Sequence, residues 1–193
     1  MELGTAIALF EYDSIAAGME SGDDMVKRAP LEVIHAGTVH PGKYLVLVGG
    51  AVGDVEEALA AAELRNTEHL VSSMFLPDPH VALVGGLAGD ETPRDGESLG
   101  VIETETVADV IRAADAGLKG AEVDLQRIYL ADDLGGKGYV LFSGTLTEVQ
   151  AAVDQGSARV EGTLVGHRVI PRLHDEMADN IGGDGRFAPR IGR

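Results

Sequence analysis

Apolar positions along this chain alternate between a period of two and a period near three and a half. A short apolar run over Thr5–Phe10 reads as a buried strand, and Ser14–Arg28 carries Ile15, Met19, Met25 and Val26 on roughly one helical face among small Ala and Gly residues. Alternation resumes over Leu31–His35, breaks at the Pro41-Gly42 turn, and returns as a strong strand over Tyr44–Val48. The Ala-rich stretch Val55–Arg65, with Asp54 near its start, predicts a second helix whose acidic first turn suits the macrodipole. Leu70–Leu76 closes the series as a fourth strand, stopped by Pro77. The same order then follows again as Leu99–Ile102, Thr106–Lys119, Val123–Leu130, Tyr139–Phe142, Thr147–Arg159 and Leu164–Ile170. A β-α-β-β-α-β order, met twice, predicts an α/β chain of the α+β kind. Each half is a four-stranded antiparallel sheet with both helices on one face, a ferredoxin-like topology or a near relative.

The repetition extends to individual residues. At a shift of 92, Glu11, Ala16, Asp23, Lys27 and Ala29 fall on Glu103, Ala108, Asp115, Lys119 and Ala121. After a two-residue slip, a shift of 94 pairs Gly42-Lys43 with Gly136-Lys137, Val46-Leu47 with Val140-Leu141, Pro77 with Pro171 and His80 with His174. A period of about ninety residues is too long for a solenoid and fits one small domain duplicated in tandem. The predicted organisation is a first domain over residues 1–88, a Gly/Pro-containing linker over 89–97, a second domain over 98–180, and a disordered, locally basic tail over 181–193 holding Arg186, Arg190 and Arg193. Duplication also sorts the polar residues. One present in both copies serves fold or assembly; one present in a single copy is the better functional candidate.

Composition narrows the chemistry. The formal net charge of −17 disfavours nucleic acid and anionic membranes as partners, because the long-range field repels phosphate. Without cysteine, disulfides, zinc fingers, thiol catalysis and thiolate-held clusters are excluded. No apolar run approaches the ~20 residues of a membrane span, and the acidic start of the chain lacks a basic n-region, so a cytoplasmic location is expected. Catalytic patterns are missing too, since no Ser-His-Asp, H-E-x-x-H or G-x-S-x-G arrangement occurs and the chain is expected not to be an enzyme. Gly135-Gly136-Lys137-Gly138 lacks the spacing and the Ser/Thr of a phosphate loop, and it precedes a strand where such a loop precedes a helix. Glu11 and Glu103 suggest paired carboxylates, but their duplication favours a capping role. His174-Asp175-Glu176 reads as three solvated side chains and not as a metal cluster, because adjacent side chains seldom converge on one ion.

Three motifs in the second copy carry a resemblance: Gly100-Val101-Ile102-Glu103-Thr104, then Ala113–Lys119, then Val169-Ile170-Pro171-Arg172-Leu173-His174. Together they resemble the bacterial microcompartment shell domain, and the first copy repeats them more loosely through Leu9-Phe10-Glu11, Asp23–Lys27 and Leu76–His80. Both copies keep the ordinary strand order, so the chain resembles the non-permuted tandem-domain class. Ser14–Glu20 and His40-Pro41-Gly42-Lys43 are similar to its propanediol-utilisation type. The resemblance implies a structural protein. Three chains form a pseudohexameric disc with a central pore, and discs tile with other shell proteins around encapsulated enzymes. It implies edge positions at Lys27, Lys119, Asp78, His80, Arg172 and His174, where Asp78 against Arg172 makes the edge charge alternate. It places the pore lining in the loops after the second strand of each copy, at Val39, His40, Pro41 and Gly42 and at Leu134, Gly135 and Gly136. Asp132 and Asp133 either face that opening and disfavour anions or are solvated turn residues. No cofactor is required. His40, present in one copy only, stands where the resembled type has a cluster-ligating cysteine, so three imidazoles near the three-fold axis would hold a metal ion or an iron–sulfur cluster, or line a polar pore that responds to pH near the ordinary imidazole value of ~6.5. The competing expectation is a trimeric, ligand-binding regulatory protein of ferredoxin-like fold, distinguished by saturable nucleotide binding without sheet formation.

Overall fold

The computed structural model describes residues 3–92 and 96–183. The first half runs β1 (Ala6–Tyr12), α1 (Ile15–Arg28), β2 (Val33–Val39), β3 (Lys43–Gly50), α2 (Val52–Ala62), β4 (Leu70–Leu76) and α3 (Val81–Leu87). The second runs β5 (Ser98–Thr104), α4 (Val107–Gly120), β6 (Asp124–Leu130), β7 (Gly138–Gly144), α5 (Leu146–Ser157), β8 (Leu164–Ile170) and α6 (Asp175–Gly182). Each half forms its own antiparallel sheet, in the orders β2-β3-β1-β4 and β6-β7-β5-β8. The expected topology therefore holds in both copies.

Local chemistry explains the boundaries. Ser14 and Thr106 cap α1 and α4, their hydroxyls accepting from the Ala17 and Asp109 amides. Two short helices, α3 and α6, follow β4 and β8 and were not expected from the pattern, because the α3 segment is too short and Gly-rich to show a helical period. Leu87 ends α3 just before the expected linker at 89–97, and Ile181-Gly182, read as the start of the tail, end α6. The rest of the tail lies outside the described residues.

The slip between repeats falls at one place. Between the pairs Thr38↔Tyr44 and Leu130↔Gly138 lie residues 39–43 in the first copy and 131–137 in the second, so the β6–β7 loop is longer by two. Ala131, Asp133, Gly135 and Gly136 in that loop all have positive φ, which accounts for its glycines.

One hydrophobic cluster runs through both halves, and the first half keeps a second cluster of its own. On β1 all seven residues are buried. Ala6, Ala8, Phe10 and Tyr12 face the core made with α1 and α2, while Ile7 and Leu9 join Met74 and Leu76 of β4 in a cluster containing Val107, Ile111 and Leu118 of α4. Helix α4 thus lies between its own sheet and the far face of the other. α3 continues the seam, with Gly86 set against the Leu125 and Ile128 side chains of β6.

Candidate functional site

The two predicted pore loops come together within one chain. The His40 amide donates to Asp132 Oδ1 at 3.4 Å, and the His40 Nδ1 lies 4.0 Å from the same oxygen. Gly136 sits directly against Pro41 and Lys43, where a Cβ would come within 3.0 Å of the Pro41 ring and 3.2 Å of the Lys43 Nζ. His40, Pro41, Gly42, Gly135, Asp132 and Asp133 are exposed, Val39 and Leu134 are half-buried, and Gly136 is buried. Among the described residues, no group of three His, Asp or Glu side chains is gathered to hold a metal. One chain offers a single imidazole beside a carboxylate.

Behind these loops, the domain seam is held by buried carboxylates. Glu11 is fully buried in β1; its Oε1 accepts from Lys43 Nζ at 2.5 Å, and its Oε2 accepts from the Val107 amide at 2.9 Å. It therefore caps α4 of the second domain, at the positive end of that helix dipole. Asp115 on α4 accepts from the His80 amide at 2.8 Å and pairs with Lys119 at 2.7 Å, and the Lys119 Nζ donates to the Asp78 carbonyl at 2.5 Å. Arg112 donates to the Ser73 carbonyl at 2.7 Å and to buried Asp109 at 2.7 Å. Lys119, Asp78 and His80, expected at an edge, thus meet one another where the two domains join.

Their counterparts stand open. Lys27 hydrogen-bonds Asp23 in full solvent exposure, and that carboxylate raises the Lys27 ammonium above its ordinary value. Arg172, with φ of 51°, and His174 are exposed after β8. His80 and His174 share a local role, each accepting through Nδ1 from the amide two residues on to cap α3 and α6. Asp175 and Glu176 fall in the first turn of α6, which is their place in the fold.

The contrast is sharpest on the long helices. Val107, Ile111 and Leu118 of α4 are 0%, 0% and 5% exposed, whereas Ile15, Met19 and Val26 at the matching positions of α1 are 39%, 55% and 43% exposed. The four α1 residues expected on one face divide: Met25 turns into its own core, and the other three lie within about 40° of one another on the outside. On β5, Glu103 pairs with Lys137 at 3.1 Å and remains 39% exposed, without the helix that Glu11 caps. Sequence reasoning identified these repeats but did not find this surface, because α1 and α4 carry similar patterns.

Comparison with known proteins agrees with this architecture. The BMC domain model matches twice, over residues 6–79 and 98–173. The bacterial microcompartment shell protein PduT of Citrobacter freundii is 37% identical over 177 residues, covering 91% of this chain and 96% of that protein. The carboxysome assembly protein CcmO of a Synechococcus strain is 29% identical over 184 residues, covering 87% of this chain and 65% of that protein. A crystal structure of a microcompartment protein from Desulfitobacterium hafniense aligns with a TM-score of 0.77 at 34% identity, covering 90% of this chain and 98% of the other. With the domain matched twice, and relatives that are structural and not catalytic, the chain belongs to the BMC-domain family as a bacterial microcompartment shell protein with two shell domains in tandem.

Proposed function

We propose that this protein forms a three-chain, six-domain ring that tiles into a shell facet and passes small molecules through an opening lined by its two loops. The carrying observation is the half-used interface. Within the chain, α4 and α3 of one seam cover the far face of the first sheet and the edge of the second. The matching apolar positions Ile15, Met19 and Val26 on α1, Ile34 on β2, and Ile170 and Met177 on the opposite side are exposed. A surface with two unlike, complementary sides associates head to tail, and such contacts either close into a ring or run on as a filament. The family resemblance implies closure at three chains.

Each chain would bring His40 and Asp132 to the opening, together with Asp133 and the glycines of the β6–β7 loop. A conventional iron–sulfur cluster finds no thiolate here, since the chain has no cysteine. An imidazole and a carboxylate from each of three chains suit a divalent cation better. The plainer reading is a polar, carboxylate-rich lining that disfavours anions. Metal content of anaerobically purified protein, wild type beside His40→Ala, decides between them: about one metal per ring, lost in the variant, makes the opening a metal site. No metal in either leaves it a metabolite channel. A solution mass of one chain, with no sheets by electron microscopy, would overturn the ring reading itself.

A further inference from the structure

The two kinds of seam in such a ring are not chemically alike. Helix α4 meets β4 through Arg112, whose guanidinium donates to the Ser73 carbonyl at 2.7 Å, beside the buried Met74. Strand register gives the counterparts: Phe10↔Ser73 and Leu9↔Met74 in the first sheet match Ile102↔His167 and Val101↔Arg168 in the second. At the Arg112 position of α1 stands Glu20, and at the Met74 position of β8 stands Arg168. The exposed Arg168 already donates through Nη1 to the His167 carbonyl at 2.6 Å. That is the counterpart of the carbonyl that Arg112 reaches across the seam. The positive charge has moved from helix to strand, and a carboxylate has taken its former place. Glu20 is oriented from its own side by Asn66 Nδ2, which donates to Oε2 at 3.1 Å, and by Arg65, 3.7 Å from Oε1.

Resting on the ring reading above, we infer that Glu20 of one chain pairs with Arg168 of a second copy. This exchanged charge makes the seam between chains distinct from the seam within a chain. The far face of the first sheet is already covered by α4 of its own chain, with Arg112 on the Ser73 carbonyl, so the face left for α1 of another copy is that of the second sheet. A charge pair at that contact adds specificity and register more than affinity. Domains are thereby ordered first, second, first, second around the ring.

The test is ring dissociation on dilution, followed by light scattering at low and high salt, for wild type, Glu20→Arg, Arg168→Glu and the double reversal. Both side chains are exposed, so circular dichroism should report the same fold throughout. Each single reversal should raise the dissociation concentration by about tenfold or more. The double reversal should return it to within about threefold of wild type. Single variants that dissociate like wild type, or a double reversal no better than the singles, would overturn the pair while leaving the ring in place. A wild type that is a single chain at all concentrations would overturn the ring and the pair together.

Discussion

At the scale of single residues, duplication has separated identical side chains into different energetic positions. Glu11 and Glu103 occupy the same place in their strands and each meets a lysine, yet only Glu11 is sealed. Its partner Lys43 is 19% exposed and its second oxygen carries the first amide of α4. Removing it strands a half-buried cation and leaves a buried amide unpaired. Glu11→Ala should therefore cost about 3 kcal/mol of stability in urea unfolding. Glu103→Ala, measured at a dilution where chains are single, should cost under about 1 kcal/mol, as for other exposed pairs. Equal losses at the two sites would show that Glu11 does not hold the seam. That these carboxylates serve structure was legible from their presence in both copies. That one of them caps a helix of the other domain was not, because Glu11 and Val107 lie 96 positions apart in sequence.

At the scale of elements, α1 and α4 are the same helix in different surroundings. Both have 14 residues, both start from a hydroxyl cap, and both carry a lysine in the last turn. α4 is enclosed between two sheets, and close packing sets its other contacts: a Cβ on Gly156 of α5 would lie 2.7 Å from the Ala113 carbonyl. α1 has one covered side. Ile111→Asp should abolish folding, since it places an unpaired charge in a fully buried position. Met19→Asp, at the matching position, should leave the single chain's unfolding midpoint unchanged within about 0.5 kcal/mol while preventing ring formation, read by circular dichroism and light scattering. Rings from Met19→Asp indistinguishable from wild type would remove α1 from the subunit contact. The strand order was readable because hydrophobic period and turn residues set each element locally. α3 was missed because its helix is stabilised from outside, by packing on β6.

At the scale of the whole molecule, a net charge of −17 means that the proposed rings would repel on approaching edge to edge unless local cations intervened. Lys27 and Lys119 are the repeated candidates. Lys119 is engaged inside the chain with Asp115 and Asp78, whereas Lys27 reaches into solvent beside Asp23. Lys27→Ala combined with Lys119→Ala should leave rings intact in solution and abolish extended sheets in electron micrographs. Wild-type-like sheets from that protein would withdraw the tiling role of both. Arg172 stands where the first copy has Asp78, a second charge asymmetry between the copies that nothing within one chain explains.

Local patterning carried the tandem organisation, the strand order, the two main helices of each domain and the loops worth attention. These follow from periodicity and turn residues, which act over a few neighbouring positions, and from the internal repeat, which is read by comparing the chain with itself. Tertiary structure decided which copy of each repeated feature is satisfied and which is left open. Glu11 and Glu103, like Ile111 and Met19, occupy equivalent repeat positions, and packing of the second domain on the first buries one of each pair and leaves the other as surface. Burial depends on what lies opposite in space, so the unsatisfied half of the interface, which supports the assembly proposed for this protein, became visible only once the other half was seen closed.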